Sequence, residues 1–354
     1  MDASTGGDQF DQIEVSKNVS QLVRSNTPHY WAYMKHQADL NRLKPYLPFK
    51  GTIAGDPHMG NFAALPLNSV GGSREMKFVN VDFDDAGRGP FVLDLVRYVV
   101  AVKSITGQVK KRPLETSYLA GLAGKELDPP KEVRSLLAMR VSDYDEMVTK
   151  YAEKKSSKHG FELKAGEIET YNAKIDRSTI EHLFTTEKVI DLAIRPQERG
   201  GSLGQLRIWV LTQGRNSRRR IVELKQYAKP AIANYDTQPA VHEWLSEVRE
   251  AFWPGLDGSA YDLIDIAGAG LFWIREKHVS LIDLPYSGTK PSDIAFLEDL
   301  AMYDANALGL AHGRQAQAAP YRSLVKSDTD AFHDATGAVA KTYLTIVRES
   351  FLDK

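Results

Sequence analysis

Cysteine is absent from this 354-residue chain. Its absence excludes a disulfide scaffold, a zinc site with thiolate ligands and a cysteine nucleophile. Net charge is nearly absent too, since 45 Lys and Arg residues stand against 46 Asp and Glu residues. A dedicated nucleic-acid-binding protein normally carries a basic excess. The sequence therefore predicts that nucleic acid is not a partner.

Long apolar runs are also missing. No stretch approaches the ~20 apolar residues of a membrane-spanning helix, and the most apolar segment carries Asp94 and Arg97. Residues 1–14 are polar and acidic, unlike a signal or transit peptide. With 42% hydrophobic and 26% charged residues, the composition is that of an ordinary globular protein. We therefore expect a soluble, cytoplasmic protein without a membrane partner.

The residues that are present predict an α+β fold, with helices on both sides of a β-rich middle. Apolar residues spaced three and four positions apart predict helices over about 15–43, 113–126, 130–154, 239–252, 293–312 and 328–352. The same spacing predicts a further helix that begins at about residue 91. Runs of β-branched residues between turns predict strands over 51–54, 76–83, 188–194, 205–212, 220–227, 268–275 and 279–284. Composition changes place candidate boundaries near 160–175 and 285–291.

Two acidic loops beside apolar strands form the first candidate site. The sequence GDPHMGN covers residues 55–61, and VDFDD covers residues 81–85. Mg²⁺ prefers oxygen ligands and keeps some of its water, so carboxylates with a nearby amide suit it. In this interpretation Asp56 orients or deprotonates a hydroxyl, while Asn61 and Asp82 hold the metal. The alternative is that both segments are only turns rich in Asp, Gly and Pro.

A glycine-rich turn forms the second candidate site. The sequence GGSLG at 200–204 precedes a predicted strand, and Lys225 ends the next one. Backbone N–H groups of such a turn can approach phosphates, and a strand lysine can reach phosphate oxygens. The candidate nucleotide-binding residues are therefore Gly201, Ser202, Gly204 and Lys225. The alternative is a plain hairpin with a solvated lysine.

The helix that follows offers an acid for Lys225. Glu243 and Glu247 are four residues apart and share a helix face, so either could pair with Lys225. We assign Glu243 to this role, and the assignment between the two remains open. A solvated acidic face is the alternative for both.

Two other enzyme classes fit the sequence less well. GGSLG matches the hydrolase motif G-x-S-x-G, but that motif needs a helix after the serine, and a β-like run follows here. His58 beside Asp56 suggests a dimetal phosphoesterase, which needs several more His and Asp ligands at matching spacing. The other histidines are isolated along the chain.

The first site resembles known enzymes. GDPHMGN resembles the catalytic loop H-G-D-x-H-x-x-N of the aminoglycoside phosphotransferase group of kinase-like enzymes, and VDFDDAGRGPFVLDL resembles the metal motif of the same group. The resemblance implies that Asp56 is the catalytic aspartate and that Asn61 and Asp82 are the metal ligands. It also implies that Asp94 is a structural acid supporting the catalytic loop. The first histidine of the family motif is Ala54 here, which removes a group that normally braces this loop.

The order of the motifs implies a rearranged fold. GGSLG and Lys225 resemble the glycine-rich loop and the lysine that contacts the α- and β-phosphates of ATP, but they follow the catalytic loop instead of preceding it. The chain therefore resembles a circularly permuted, two-lobed protein-kinase-like fold, and more closely a bacterial family of kinase-like domains with this motif order. The resemblance places part of the helical C-lobe with the catalytic and metal loops at 1–174. It places the β-rich N-lobe at 175–285, and the hinge and remaining C-lobe helices at 286–354.

The function implied by the resemblance is an ATP- and Mg²⁺-dependent phosphotransferase acting on a hydroxyl of a small molecule. Nucleotidyl transfer with reversed ATP is one alternative, and a nucleotide-binding pseudokinase or scaffold without turnover is another. The retained Asp56, Asn61, Asp82 and Lys225 speak against the scaffold, and Ala54 speaks weakly for it. The sequence does not identify the acceptor, so a protein acceptor and a homodimer stay open.

Overall fold

The computed structural model describes residues 19–105, 109–196, 204–214, 217–277, 279, 282, 284 and 290–351. Helices and antiparallel strands are mixed along this part of the chain, which confirms the α+β class. None of the described helices is long and apolar enough to cross a lipid bilayer.

The helices match the predicted ones with two differences in segmentation. They are α1 (Val19–Ser25), α2 (Thr27–His36), α3 (Phe91–Ile105), α4 (Lys111–Leu122), α5 (Lys131–Leu137), α6 (Val141–Lys154), α7 (Arg177–Glu181), α8 (Val241–Phe252), α9 (Pro291–Gly313), α10 (Ala318–Ser327) and α11 (Thr329–Phe351). The helix predicted over 15–43 is interrupted because Asn26 has non-helical backbone angles. The helix predicted over 130–154 is interrupted because Arg140 has an extended backbone. The sequence interpretation missed α7 and α10.

The strands form one large and three small sheets. They are β1 (Lys50–Ile53), β2 (Phe62–Asn68), β3 (Arg74–Asn80), β4 (Gly87–Pro90), β5 (Ser156–Ser157), β6 (Gly160–Phe161), β7 (Glu169–Thr170), β8 (Lys188–Ile194), β9 (Arg207–Gln213), β10 (Arg219–Gln226), β11 (Tyr261–Ile266) and β12 (Gly270–Glu276). The antiparallel six-stranded sheet has the order β11-β12-β10-β9-β8-β7. Strands β2, β4, β5, β6, β7 and β11 were not predicted. Half of the strand predicted over 279–284 lies outside the described residues.

The two faces of the six-stranded sheet differ in chemistry because side chains alternate along a strand. On β10, Val222 and Leu224 belong to an apolar cluster on one face, together with Ile180 of α7. Glu223 and Lys225 therefore lie on the opposite face, and both are buried. This second face supplies half of the site described below.

Helix α3 is the central element of the main core. Every residue from Phe91 to Val102 is buried, including Asp94 and Arg97. A helix buried on all sides carries charged residues only where they are paired. These two charges therefore need partners, and both partners lie in the candidate site.

Candidate active site

A buried carboxylate anchors the loop between β1 and β2. Asp94 Oδ2 accepts a hydrogen bond from the Ala54 N–H at 3.0 Å, and Asp94 Oδ1 accepts one from the Gly55 N–H at 2.9 Å. Asp94 is fully buried on α3. A buried carboxylate that accepts two backbone N–H groups fixes the backbone it contacts. The supporting role expected for Asp94 is therefore confirmed.

His312 at the end of α9 completes this anchor. Its Nε2 lies 3.1 Å from Asp94 Oδ2, and its Nδ1 lies 2.8 Å from the hydroxyl of Tyr118. His312 is fully buried. It braces the loop from a distant part of the chain. Sequence reasoning noticed the end of this helix but did not assign His312 a role.

Gly55 brings the two acidic loops together. Its φ is +78°, a left-handed conformation that favours glycine. A Cβ atom at this position would lie 1.8 Å from the backbone oxygen of Asp85. The Trp31 indole N–H also donates to the Gly55 carbonyl at 2.8 Å. Glycine therefore allows the loop at 55–61 to lie against the loop at 81–85 without a clash.

Asp56 is held by a buried arginine. Arg97 Nε and Nη2 both donate to Asp56 Oδ1, at 3.0 and 2.7 Å. Arg97 Nη2 also donates to the Val23 carbonyl at 2.7 Å and to Thr27 Oγ1 at 3.0 Å. The Arg97 side chain is fully buried, and that of Asp56 is 13% exposed. One carboxylate oxygen is thereby fixed, and sequence reasoning treated Arg97 only as a charge that interrupts an apolar run.

His58 lies beside the second oxygen of Asp56. Its Nε2 is 3.8 Å from Asp56 Oδ2. Burial is the main reason that the pKa of His58 falls to about 4, so this imidazole is neutral at pH 7. Its Nδ1 has no hydrogen-bond partner among the described residues. A neutral imidazole leaves the negative charge of Asp56 available to an acceptor hydroxyl.

Asn61 and Asp82 offer oxygen atoms to a cation. Asn61 Nδ2 donates to the Asp56 carbonyl at 3.0 Å, which leaves the amide oxygen as the possible ligand. Burial opposes ionisation of Asp82, but the charges of Arg275 and Lys225 outweigh it and lower the pKa of Asp82. Mg²⁺ is usually held by one or two protein carboxylates together with substrate phosphates. A set of one carboxylate and one amide oxygen fits Mg²⁺ in this respect. Within the described ranges, no group of three or more His, Asp or Glu residues is arranged so that it could hold a metal ion.

Lys225 pairs with Asp84, not with an acid of α8. The Lys225 ammonium contacts Asp84 Oδ2, and the Tyr261 hydroxyl donates to Asp84 Oδ1. The predicted pair with Glu243 is wrong, because Glu243 lies exposed on the first turn of α8. Glu247 is not the partner either, since it pairs with Arg88.

The residues of the two loops and the sheet influence one another electrostatically. Burial lowers the pKa of Lys225 to about 8, while the charges of Asp82 and Asp56 oppose this decrease. Burial and then the charge of Asp56 raise the pKa of Asp85 to about 7. The structure therefore brings Asp56, Asp82 and Lys225 into one site, although they come from three separate segments.

The predicted glycine-rich loop is only partly described. Gly201 and Ser202 lie outside the described residues, and Gly204 lies in a turn just before β9. Its role in binding phosphates stays a prediction. Asp84, Arg97 and His312 are the additional residues of the site. Asp84 lies within the VDFDD segment but was assigned no role, and no local motif marks Arg97 or His312.

Comparisons with known proteins do not add to this description. A scan against protein-family models, a search of the curated proteins and a search of the solved structures each found no match.

Proposed function

We propose that this chain is an ATP- and Mg²⁺-dependent phosphotransferase that acts on a hydroxyl of a small molecule. The observation that carries the proposal is the convergence of Asp56, Asp82 and Lys225 within electrostatic reach of one another. These are the residues that the kinase resemblance implies, and they are far apart in the sequence. Their convergence is the arrangement that phosphoryl transfer needs, because the reaction depends on positioning and on neutralisation of charge.

The same contacts support a circularly permuted, two-lobed kinase-like arrangement. Lys225 of the six-stranded sheet contacts the loop after β3 through Asp84. The end of α9, close to the C-terminus, braces a catalytic loop that lies close to the N-terminus through His312 and Asp94. In this proposal residues 175–285 form the N-lobe, and the segments 1–174 and 286–354 together form the C-lobe and hinge.

Each residue has a defined task in the proposed reaction. Asp56 aligns the acceptor hydroxyl and receives its proton through the carboxylate oxygen that Arg97 leaves available. Asn61 and Asp82 would hold Mg²⁺, which neutralises phosphate charge when it is bound. Lys225 contributes a positive charge to the phosphates from the sheet.

Turnover in the presence of candidate acceptors tests the proposal. The protein is incubated with Mg²⁺, ATP and a panel of small hydroxylated amines, and the products are identified by mass. We expect ADP and a phosphorylated acceptor, with the rate reduced by about 10²–10⁴-fold in Asp56→Asn. Asp265→Asn is the matched control, because Asp265 is exposed on β11. An unchanged rate in Asp56→Asn would contradict the proposed role of Asp56.

Nucleotidyl transfer is the second candidate function. It is favoured by the positively charged sheet face next to Asp82, which is described in the next subsection. The same mass measurement separates the two functions, because nucleotidyl transfer adds AMP to the acceptor and releases pyrophosphate. Nucleotide binding without either product would indicate a scaffold.

A further inference from the structure

Four basic side chains cluster on the site-facing side of the six-stranded sheet. The members of this cluster, called the sheet cation cluster below, are Arg195, Arg207, Arg275 and Lys277. The strand register places Arg207 opposite Lys225 and Arg275 opposite Glu223. Lys277 follows Arg275 by two residues, so it continues along the same face. Arg195 ends the neighbouring strand, where its N–H donates to the Arg207 carbonyl at 2.9 Å.

The cluster is largely buried and contains one central acid. The side chains of Arg207 and Arg275 are 15% and 12% exposed. Glu223 accepts hydrogen bonds from Arg275 Nε and Nη2 at 3.1 and 2.8 Å. Arg207 Nη1 lies 3.6 Å from Glu223, and the Trp209 indole N–H donates to it at 3.1 Å. Both carboxylate oxygens of Glu223 therefore already have a hydrogen-bond donor.

The cluster also touches the metal loop. Arg275 Nη1 lies 3.7 Å from Asp82 Oδ1, so the cluster borders the proposed Mg²⁺ site. Across the described part of the chain, Arg207 lies within ion-pair distance of Glu223, and Arg275 lies within ion-pair distance of Glu223 and Asp82. The four basic groups outnumber these two described acids, which favours the approach of an anion.

Unlike Arg195, which donates to the Glu167 carbonyl at 3.0 Å, Lys277 carries an ammonium that has neither an acid nor a carbonyl partner among the described residues. No described carboxylate lies within ion-pair distance of its ammonium. Burial, and then the charges of Arg275 and Arg207, lower the pKa of Lys277 despite the attraction of Glu223. Lys277 is only partly exposed, so a ligand that supplies a negative charge would compensate for the water that its ammonium has lost.

We propose that the sheet cation cluster is a phosphate-binding subsite next to the Asp82 loop, in addition to Lys225. Arginine forks match phosphate geometry and lysine adds a point charge, so the mixture of Arg207, Arg275 and Lys277 suits a phosphate group. A purine ring fits this face poorly, because small-molecule rings bind mostly against apolar side chains. The phosphate comes either from the end of a nucleoside triphosphate or from a phosphorylated acceptor. This assignment of sources rests on the proposed function.

Each source leads to a different balanced reaction. If the terminal phosphates of ATP occupy the subsite, the acceptor oxygen forms a bond to the α-phosphorus and the bond between the α-phosphorus and the bridging oxygen breaks. Pyrophosphate then leaves, and the hydroxyl proton passes to Asp56. If the acceptor's own phosphate occupies the subsite, the acceptor oxygen forms its bond to the γ-phosphorus and the bond between the γ-phosphorus and the β–γ bridging oxygen breaks. ADP then leaves with that oxygen, and Asp56 again receives the proton.

Binding of inorganic triphosphate tests the subsite without a nucleoside. Titration calorimetry without Mg²⁺ compares the wild type with Lys277→Gln, whose change removes a charge but breaks no ion pair. We expect about tenfold weaker binding in Lys277→Gln, as for the loss of one charge-assisted hydrogen bond, and recovery in Lys277→Arg. Lys188→Gln is the matched control, because Lys188 is exposed on β8 of the same sheet. Its affinity should equal that of the wild type.

Two outcomes would overturn the subsite. One is the absence of triphosphate binding to the wild type at millimolar concentration, and the other is an equal loss in Lys277→Gln and Lys188→Gln. Titrations with ATP and AMP identify the source of the phosphate. If Lys277→Gln binds ATP more weakly but AMP equally well, the phosphate in the subsite belongs to the nucleotide. If Lys277→Gln binds triphosphate more weakly but ATP equally well, the phosphate in the subsite belongs to the acceptor.

The subsite and the proposed function fail in different ways. Asp82→Asn should abolish the Mg²⁺-dependent part of ATP binding but keep triphosphate binding without Mg²⁺, because it removes a negative charge beside Arg275. Lys277-dependent triphosphate binding without any turnover would uphold the subsite and contradict the transferase. Turnover together with triphosphate binding that does not depend on Lys277 would uphold the transferase and contradict the subsite.

Discussion

At the scale of single residues, Arg97 determines where the Asp56 carboxylate points. Its guanidinium is fully buried and binds Asp56 Oδ1 with two of its nitrogens. Arg97 donates to Oδ1 and leaves Oδ2 to the acceptor of the proposed reaction, so in that proposal it is a positioning residue.

The substitution Arg97→Met should destabilise the protein by about 3–5 kcal/mol, because it leaves the mostly buried Asp56 carboxylate without its partner. Unfolding in urea at pH 7 measures this loss. Combining Arg97→Met with Asp56→Asn should restore part of the stability, since the orphaned charge is then removed. Arg140→Met is the control, because Arg140 forms an exposed ion pair with Asp143. Strictly additive losses in the double variant would contradict the pairing.

Asp85 should make stability depend on pH. Burial and the charge of Asp56 raise its pKa to about 7 in the folded protein, above its ordinary value of 3.8. A raised carboxyl pKa contributes stability below the unfolded pKa, and this contribution is lost as the pH rises through the folded pKa. Asp85→Asn should therefore gain stability relative to the wild type between about pH 4 and pH 8, on the order of a few kcal/mol.

Thermal or urea unfolding without added Mg²⁺, repeated across this pH range, measures the difference. The asparagine oxygen can still accept the Ala231 N–H that Asp85 accepts at 2.8 Å. A constant difference between Asp85→Asn and the wild type over the whole range would show that Asp85 titrates normally.

At the scale of elements, the close contact of α4 with α9 holds His312 in place. A Cβ atom on Gly309 would lie 2.1 Å from the backbone oxygen of Tyr118. Backbone atoms cannot move aside as a side-chain end can, so Gly309→Ala should separate the two helices and cost about 1–3 kcal/mol. Tyr118 contacts His312, so the brace on Asp94 would shift as well.

Gly337→Ala on α11 is the matched helical control. The three atoms nearest to a Cβ atom there belong to the end of the Lys111 side chain, which can move. Alanine also forms helix better than glycine by up to about 1 kcal/mol. Thermal unfolding should therefore show a lower midpoint for Gly309→Ala and an unchanged or higher one for Gly337→Ala. Equal effects would mean that the α4–α9 contact is not tight.

At the scale of the whole molecule, local sequence patterns predicted most of the longer elements but not the contacts between them. The loop at 55–61 was identified because its glycine, proline and acidic residues lie next to each other. The partner of Lys225 was misassigned to α8, since helical spacing says which residues share a face but not which way that face points. Glu243 is exposed, and Asp84 approaches from a loop 141 residues earlier in the chain.

The same limit explains the other residues that were missed. Arg97 contacts Asp56 over 41 positions, and His312 contacts Asp94 over 218 positions. Contacts across such sequence separations cannot be predicted from the spacing of neighbouring residues. Helix α10 was missed although its Pro320 lies in the first turn, where a missing N–H is tolerated.

The most direct test of the central claim is the thermal unfolding midpoint with ATP and Mg²⁺, compared between the wild type, Asp82→Asn and the exposed control Asp265→Asn. Ligand at 100 times its Kd should add about 2.7 kcal/mol of stability, a shift of a few degrees. We predict a Mg²⁺-dependent shift in the wild type and Asp265→Asn that is lost in Asp82→Asn. No shift with ATP, or an equal shift in Asp82→Asn, would contradict a nucleotide and metal site built on Asp56, Asp82 and Lys225.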